Sequence, residues 1–361
     1  MSSFEYNQAP LRVVFGTGTL SKVPAELERL KAFKPLILCT PEQTFQAEKV
    51  ENIVGSVKGI TPVGVFSKAT MHTPGNITDE ALEFLKSSGA DSLVSIGGGS
   101  TTGLGKALAV RTGLPHVSIP TTYAGSEMTP ILGETVGGEK KTRSDPKILP
   151  TAVVYDVDLT MTLPPGLSAT SGVNAIAHSV EGLYAQNGNP IMSLMALEGI
   201  RSLATSLPTI VSSPSDVPAR SQALYGAWLC GVVLGNVGMA LHHKLCHALG
   251  GSFNLPHAET HTIVLPHALA YNAPAIPEVM QKLAEVLPGS DEDAIKGLNV
   301  LLTKLKVKRG LKEFGMKESD VDKAAEIATR NPYWNPREIE KEKIREVIRR
   351  CWEGEEARAD L

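Results

Sequence analysis

The sequence has no uninterrupted apolar run of the roughly 18 residues that a membrane-spanning helix needs. It also lacks an excess of either charge, because 35 Lys and Arg stand against 38 Asp and Glu. Proteins that bind nucleic acids or anionic membranes carry a surplus of basic residues. The first residues contain no basic segment followed by an apolar core, so no secretory signal is expected in them. We therefore expect neither a nucleic acid nor a membrane as partner.

Cysteine is scarce, and no CxxC spacing occurs among Cys39, Cys230, Cys246 and Cys351. In a chain of 361 residues this predicts buried or free thiols of a reducing compartment, not a disulfide framework. Hydrophobic residues make up 42% of the chain, which suffices for a large core, and the length predicts two domains or one large one. Together these features favour a cytoplasmic enzyme.

Up to about residue 160, short apolar runs alternate with amphipathic stretches. Near-continuous apolar strands separated by helices are typical of a sheet buried on both faces, which is mostly parallel. This pattern predicts a doubly wound, Rossmann-like α/β domain over residues 1–160; the alternative is an α+β layer with antiparallel pairs. The predicted strands are 11–15, 35–39, 61–66, 92–96, 116–119 and 152–155, and the predicted helices are 20–30, 43–53, 78–85 and 103–110.

After the Leu-Pro-Pro-Gly segment at 163–166 the periodicity changes to 3.6 residues and strand-like runs nearly vanish. Residues 161–361 are therefore predicted to form an all-α domain. No internal repeat is visible, which excludes solenoid architectures. The predicted helices are 168–185, 191–207, 218–249, 276–287, 293–305 and 337–352.

A glycine loop, Gly97-Gly98-Gly99-Ser100-Thr101, stands between a predicted strand and a predicted helix. Glycines let a ligand approach the backbone closely, and the free N–H groups at a helix start favour a phosphate. The P-loop pattern of nucleoside-triphosphate enzymes fails by one residue, and the G-x-G-x-x-G fingerprint is not cleanly met. We predict that this loop binds a pyrophosphate; the alternative is a tight turn that needs glycine for structural reasons.

A second polar loop follows the next predicted strand and contains Thr121, Thr122 and Ser126. Ligands of open α/β sheets bind at the carboxyl ends of the strands, where both loops would lie. Two such loops favour a dinucleotide over a lone phosphate, although Thr, Gly and Ser are also ordinary turn residues.

Histidines are concentrated in the second half, where two pairs have i, i+4 spacing. Residues at that spacing lie on one face of a helix, so each pair can converge on one point. Imidazoles gathered in this way are typical of a metal site or an acid/base site. The residues concerned are Asn174 and His178, His243 and His247, and His257 at a Pro-His turn.

Buried histidines with purely structural contacts are the alternative interpretation, and we apply it most readily to His261 and His267. We leave out His242, because it points about 100° away from His243 on a helix.

In this order, the motifs GGGS-x5-K, PTT-x-x-GSE, N-x3-H, H-x3-H and PHA resemble the iron-containing alcohol dehydrogenase family. The resemblance extends from residue 15 to residue 267. It implies an NAD(P)-binding α/β domain, a helical domain, an active-site cleft between them and a homodimer. In metal-dependent members an Asp and three His hold Fe²⁺ or Zn²⁺, and a further His lies near the nicotinamide. The matching positions are Asn174, His178, His243 and His257 for the metal ligands and His247 for the further histidine.

Two departures from the family pattern are Asn174, in place of the Asp ligand, and Gly103, in place of the usual Asp of GGGS-x-x-D. With the Asn/Pro/aromatic segment at 331–340, they resemble the branch that reduces the C=C bond of maleylacetate to 3-oxoadipate with NADH or NADPH in aromatic-ring catabolism. The alternative is a metal-dependent (Fe or Zn) alcohol or polyol dehydrogenase. A dehydroquinate-synthase-like lyase and a non-catalytic binding protein are more distant alternatives.

Loss of the anionic ligand is compatible with that reaction. Hydride addition to a C=C bond conjugated with a ketone gives an enolate, a much weaker base than the alkoxide of an alcohol dehydrogenase. Hydrogen-bond donors such as His243 and His247 can stabilise it, and a protonated His can supply the proton. We therefore expect no metal, with His178 and His257 completing the cluster. Three neutral histidines suffice for Zn²⁺, so His178, His243 and His257 would hold a metal if one were bound.

Asn174 is then expected to be a neutral hydrogen-bond partner; the alternative is that it only fills a helix face.

The dianionic substrate requires cations, for which we propose Lys106 and Arg337, with Tyr333 in the same loop as Arg337. That loop could instead only cap the helix 337–352. Thr40 follows the strand 35–39, where many family members have an Asp that bonds the ribose 2′-OH and repels a 2′-phosphate. Thr40 removes that repulsion, so the resemblance implies that both NADH and NADPH are used.

Overall fold

The computed structural model describes residues 4, 6, 11–137 and 139–361. Contacts within the chain divide it into two compact units. An α/β unit comprises Gln8–Leu163, and a helical unit comprises Pro164–Leu361 together with the described residues Phe4 and Tyr6. The division falls at the Leu-Pro-Pro-Gly segment, where the sequence periodicity changes.

The main sheet of the α/β unit has six strands in the order β1-β8-β5-β4-β2-β3, and every adjacent pair is parallel. The predicted mostly parallel, Rossmann-like sheet is therefore confirmed. The strands of the unit are β1 (Arg12–Gly16), β2 (Pro35–Leu38), β3 (Val65–Phe66), β4 (Ser92–Gly97), β5 (His116–Pro120), β6 (Ile131–Val136), β7 (Glu139–Ser144) and β8 (Ala152–Asp156). The helices are α1 (Val23–Arg29), α2 (Thr44–Gly55), α3 (Gly75–Ser88) and α4 (Gly99–Thr112).

Strand β2 shows why the sheet is covered on both faces. Leu36 and Leu38 pack into one apolar cluster, whereas Ile37 and Cys39 pack into another. Successive side chains of a strand point to opposite faces, so a run without polar residues must be buried on both sides. Helices that contribute Val50 and Leu108 to these clusters provide the two outer layers.

An antiparallel hairpin formed by β6 and β7 was not predicted. Its register runs from Ile131 opposite Ser144 to Val136 opposite Glu139. The second strand, Glu-Lys-Lys-Thr-Arg-Ser, has no apolar residue and no alternating pattern. Cross-strand pairing, rather than burial of its own side chains, makes it a strand, and a hydrophobic pattern cannot reveal that.

The helical unit is built of α5 to α13, as predicted for an all-α region. Its central helix α5 begins with proline at its first position, which is tolerated because that N–H has no partner within the helix. The helices are α5 (Pro165–Leu183), α6 (Pro190–Ser212), α7 (Val217–Asn236), α8 (Leu241–Phe253), α9 (His257–Asn272), α10 (Pro277–Val286), α11 (Ala294–Lys304), α12 (Val321–Thr329) and α13 (Lys341–Glu353).

Three helix predictions differ from the structure. The predicted helix 218–249 consists of α7 and α8, which meet at an angle of 94°. Helices α9 and α12 were not predicted; the polar first turns of α9 and its internal Pro266 obscure its periodicity. The predicted helix 337–352 begins only at Lys341, after a loop.

In the part of the chain that the structure describes, no single helix is long and apolar enough to cross a membrane. The bent pair α7 and α8 reaches the required length and composition only when both helices are taken together.

Candidate functional site

The glycine loop of the α/β unit joins the end of β4 to the start of α4. Gly97 has φ +151°, a conformation that residues with a Cβ rarely adopt. A Cβ on Gly98 would lie 3.1 Å from Cγ2 of Thr122, so the glycine loop and the second polar loop pack against each other. Gly98 is the N-cap residue of α4 and offers no side-chain oxygen to the first N–H groups of the helix. The loop geometry therefore suits an anion, and binding of a pyrophosphate there stays a prediction.

Gln43 connects the ends of β2 and β5 at this edge of the sheet. Its Nε2 donates to Oγ1 of Thr121 at 2.9 Å, and its Oε1 accepts from Oγ1 of Thr40 at 3.4 Å. Thr101 is buried beside it, and its Oγ1 has no hydrogen-bond partner among the described residues. Thr40, Thr101 and Thr121 are thus brought together, whereas Gln43 was missed because it was counted only as the start of a helix.

Lys106 does not lie where a substrate could reach it. Its side chain is fully buried, and Nζ donates to the carbonyl oxygens of Ser126 and Ile131 and to Oγ1 of Thr129. Burial lowers the pKa of Lys106 to about 7, and the nearby carboxylate of Glu127 opposes that shift. The three N–H groups of the ammonium are thereby occupied, so the structure does not support the substrate-binding role that we predicted for Lys106. Instead, Lys106 holds the loop that carries Ser126.

Replacing Lys106 by methionine should lower the free energy of unfolding by about 1–3 kcal/mol, because the buried oxygens that accept from Nζ lose their donor. The KM for maleylacetate, the substrate that the sequence implies, should not change. Urea unfolding and steady-state kinetics test this, with the exposed Lys141→Met as the matched control. A large rise in KM without loss of stability would restore Lys106 as a substrate contact.

The candidate catalytic site of the helical unit is a histidine cluster, to which α5, α8 and α9 all contribute. Asn174 and His178 lie on α5 and are buried. His243 on α8 is also buried, whereas His247, one turn later, is exposed. His257 at the start of α9 is exposed as well. The ring centroids of His178 and His243 are 5.2 Å apart.

His242 and His261 belong to the same cluster, contrary to our prediction. The rings of His242 and His243 have centroids 5.1 Å apart, and both lie within 5.0 Å of the His261 ring. The ring centroid of His261 in turn lies 4.2 Å from that of His257. Excluding His242 was wrong because α8 begins at Leu241, so that its first turn packs directly on α9: Nε2 of His242 lies 3.0 Å from the carbonyl oxygen of His261. The charged groups near His267 are Arg309, Arg350 and Glu355, not the histidines of the cluster.

Glu181 lies behind the cluster on α5, three residues after His178. Its carboxylate is fully buried and accepts the backbone N–H groups of Ala240, His242 and His243 at the start of α8. Nδ1 of His243 lies 2.6 Å from its Oε2. Sequence reasoning missed this residue, although Asn174, His178 and Glu181 share the i, i+4, i+7 spacing of one helix face.

Burial favours the neutral form of the imidazoles inside the cluster. Burial lowers the pKa of His178, His243 and His261 well below the ordinary value of 6.5, and the neighbouring histidines lower it further. A neutral imidazole has one N–H and one lone pair. Several ring nitrogens nevertheless have no hydrogen-bond partner within the described chain: Nδ1 of His178, Nε2 of His243 and both nitrogens of His261.

These unpaired nitrogens meet only some of the requirements of a metal site. Ring nitrogens of His242, His243 and His261 lie within 4.8 Å of one another, as ligands of one ion would. Three imidazoles can hold Zn²⁺. However, position 174 supplies an amide instead of a carboxylate, and the carboxylate of Glu181 is already saturated by N–H donors. A divalent ion in this cluster would therefore have imidazole ligands but no anionic ligand to balance its charge.

The loop 331–340 docks on the start of α8, beside the cluster. Asn335 accepts the backbone N–H of Leu241 at 3.3 Å and exchanges hydrogen bonds with the side chain of Asn272. The hydroxyl of Tyr333 is buried without a partner in the described chain; burial and the carboxylate of Glu181 raise its pKa. Tyr333 therefore remains a reasonable substrate contact.

The guanidinium of Arg337 forms hydrogen bonds with backbone carbonyl groups. Its Nη1 donates to the carbonyl oxygen of Tyr271 at 2.6 Å, its Nη2 donates to that of Leu361 at 2.7 Å, and the guanidinium lies 4.4 Å from the centroid of the Tyr271 ring. Both terminal nitrogens thus tie the loop to α9 and to the C-terminal residue. A direct carboxylate contact by Arg337 stays a prediction that this geometry does not favour. Lys244, 5.3 Å from the centroid of the Tyr333 ring, is a cation that sequence reasoning missed.

Comparisons with known proteins extend over both units. A family model described as iron-containing alcohol dehydrogenase matches residues 10–157, and a model of the C-terminal part of the Fe-containing alcohol dehydrogenase family matches residues 168–352. Maleylacetate reductase from Rhizobium sp. (strain MTP-10005) is 51% identical over 354 residues, which cover 98% of this chain and 99% of that protein.

Two crystal structures are similar along nearly the whole length. Maleylacetate reductase from Agrobacterium tumefaciens has a TM-score of 0.94 at 50% identity, covering 99% of this chain and 100% of that one. A protein from Ralstonia eutropha JMP134, named as a candidate alcohol dehydrogenase, has a TM-score of 0.96 at 54% identity, covering 99% of both chains.

Proposed function

Because the chain belongs to the iron-containing alcohol dehydrogenase family, we propose as its function the reduction of maleylacetate to 3-oxoadipate by NADH or NADPH. It is an NAD(P)H-dependent oxidoreductase. Full-length similarity to maleylacetate reductases supports this substrate over an alcohol. The structural observation that carries the proposal is a cluster of neutral imidazoles in which the family's acidic ligand position is occupied by Asn174.

The proposed reaction transfers a hydride from the nicotinamide to the alkene carbon β to the ketone, which oxidises NADH to NAD⁺. The electron pair of the C=C bond moves toward the ketone oxygen and forms an enolate. Protonation of the carbon α to the ketone then gives 3-oxoadipate. An enolate can be stabilised by hydrogen-bond donors alone, so this chemistry does not require the Lewis acid that alkoxide formation calls for.

We assign a role to each histidine of the proposed site according to whether it is buried or exposed. His178, His243 and His261 are buried and neutral, so they serve as hydrogen-bonding groups around the substrate. His247 and His257 are exposed and can exchange protons with solvent. We therefore assign delivery of the proton to His247, one helical turn from His243, and a supporting role to His257. Asn174 is buried, its Oδ1 has no hydrogen-bond partner among the described residues, and it acts as a neutral hydrogen-bond partner of the substrate.

The α/β unit is proposed to bind the cofactor through Gly97, Gly98, Gly99, Ser100 and Thr101, with Thr40, Thr121, Thr122 and Ser126 from the neighbouring loops. Position 40 itself carries no carboxylate to repel a 2′-phosphate, although the carboxylate of Glu42 lies beside Thr40. We expect kcat/KM values for NADH and NADPH within about a factor of a thousand, or about 4 kcal/mol, of each other.

The deciding experiment follows the near-ultraviolet absorbance of NADH, and separately of NADPH, with maleylacetate as substrate. Exhaustively chelated enzyme should retain full activity and contain no stoichiometric metal by elemental analysis. Activity that appears only after Fe²⁺ or Zn²⁺ is added would contradict the metal-independent mechanism. Absence of any turnover of maleylacetate would contradict the function itself.

A metal-dependent alcohol or polyol dehydrogenase is the second candidate function. The ring nitrogens of His242, His243 and His261 favour it, because they lie within 4.8 Å of one another and could coordinate a divalent ion that acts as a Lewis acid on an alcohol oxygen. In that case the metal-loaded enzyme would oxidise simple alcohols or diols with NAD⁺, and the chelated enzyme would not.

Three further properties are proposals that follow from the family: a small dianionic substrate as the binding partner, a homodimer and a cytoplasmic location. Light scattering of the purified enzyme tests the homodimer, and competition by saturated dicarboxylates of similar length tests the charge of the substrate.

A further inference from the structure

A buried carboxylate outside the predicted set of site residues lies directly behind the histidine cluster. Glu181 is fully buried on α5, and Nδ1 of His243 lies 2.6 Å from its Oε2. Neither oxygen is exposed to a ligand, so Glu181 cannot touch a substrate. Any influence on the reaction must pass through His243.

Burial raises the pKa of Glu181, but the N–H groups around it oppose that shift and stabilise the charged form. Oε1 accepts the backbone N–H of His242 at 2.7 Å, and Oε2 accepts that of Ala240 at 3.0 Å. A backbone N–H can only donate, so these contacts demand acceptor lone pairs. The carboxylate also caps the first turn of α8, where the helix dipole favours a negative charge. Glu181 thus does for α8 what an N-cap side chain ordinarily does, but from another helix.

A carboxylate at this place selects one tautomer of His243. At 2.6 Å the contact requires a proton between Nδ1 and the carboxylate, and an ionised carboxylate leaves that proton on Nδ1. Nε2 then carries the lone pair. This nitrogen is buried and has no hydrogen-bond partner among the described residues, as a nitrogen reserved for a ligand would be.

We propose that Glu181 is a positioning residue that fixes His243 as its Nδ1–H tautomer and presents the Nε2 lone pair to the substrate side of the cluster. The inference deepens the proposed function and rests on it only for its kinetic consequence. His243 then accepts a hydrogen bond or a proton at Nε2 in the resting enzyme, rather than donating one to the enolate as the sequence suggested. The proton for carbon must come from another histidine.

The tautomer can be read in the wild-type enzyme without any turnover. Protein labelled with ¹⁵N-histidine gives ring-nitrogen signals that distinguish protonated from bare Nδ1 and Nε2, and the signals missing from His243→Asn assign those of His243. We expect a protonated Nδ1 and a bare Nε2. A protonated Nε2 with a bare Nδ1 would overturn the proposal, whether or not maleylacetate is the substrate.

The kinetic consequence is tested with Glu181→Gln. An amide has only one acceptor oxygen, so its NH₂ group must face either the backbone N–H groups of α8 or Nδ1 of His243. We expect kcat to fall about 10- to 100-fold, as when the partner that orients a functional imidazole is lost. The KM for maleylacetate and for NADH should stay near the wild-type values, because Glu181 touches neither. The His243 signals should shift at the same time.

Glu134→Gln is the matched control, since Glu134 is a buried carboxylate paired with Arg111 at 2.8 Å in the α/β unit. It should lower stability but leave kcat and the His243 signals unchanged. Wild-type kcat in Glu181→Gln, or a rise in KM alone, would overturn the positioning role. If Glu181→Gln does not fold, the tautomer of the wild-type enzyme decides.

Discussion

Replacing Gly97 by alanine should raise the dissociation constant of NADH at least about tenfold, or 1.4 kcal/mol. The new Cβ would lie 2.4 Å from Oε1 of Gln43 and 2.5 Å from Oγ1 of Thr101. The φ of +151° adds backbone strain for any residue with a Cβ. Because Thr101 is fully buried, the glycine loop itself must move, and the link from Gln43 to Thr121 must break. Fluorescence titration with NADH measures the effect.

Gly113→Ala is the matched control for this substitution. Gly113 also has a positive φ, +74°, and it follows the same helix α4, but a Cβ there would meet nothing within 4 Å. It should therefore lower stability through strain while the affinity for NADH stays unchanged. Equal loss of affinity in both variants would mean that general destabilisation, not the geometry of the glycine loop, controls cofactor binding.

The helices and strands that could be predicted are those whose own sequence shows which of their faces are buried. Strands such as β2 are apolar on every residue because both faces are covered, and α5 is buried on nearly all sides because it lies at the centre of its unit. Helix α9 and strand β7 were missed because partners elsewhere in the chain stabilise them. The first turn of α9 is polar, since it supplies the histidine cluster, and β7 is defined by its pairing with β6.

The residues of the candidate site also divide into those that the sequence could predict and those that it could not. Spacing within one helix correctly paired Asn174 with His178, because that relation needs no knowledge of the fold. It misplaced His242, whose direction depends on where α8 begins. The start of α8 is in turn set by Glu181, a contact between residues about sixty positions apart. Only tertiary packing brings such residues together, although the i, i+7 relation of Asn174 and Glu181 was available in the sequence.

His247→Asn should lower kcat for maleylacetate reduction by about 10²–10⁴-fold, the range expected when a general acid is lost. In our proposal Glu181 keeps the proton of His243 on Nδ1, so that Nε2 presents a lone pair to the substrate. His243 therefore cannot provide the proton in the resting enzyme. His247 lies one turn further along α8, with its ring centroid 6.2 Å from that of His243, and it is exposed to solvent. Asn keeps a polar side chain of similar reach but cannot transfer a proton at neutral pH. Steady-state kinetics at saturating NADH measure the loss.

Chemical rescue distinguishes proton delivery from a structural role of His247. Because the site of His247 is exposed, imidazole added to the solution should restore part of the activity of His247→Asn. His267→Gln is the control, because it removes a buried imidazole of α9 from outside the cluster and should alter stability but not kcat. If His257→Asn instead loses more activity and is the variant that imidazole rescues, proton delivery belongs to His257. Near-normal kcat in both variants would exclude the two exposed histidines as the acid, so the proton would have to come from a transiently protonated buried histidine of the cluster.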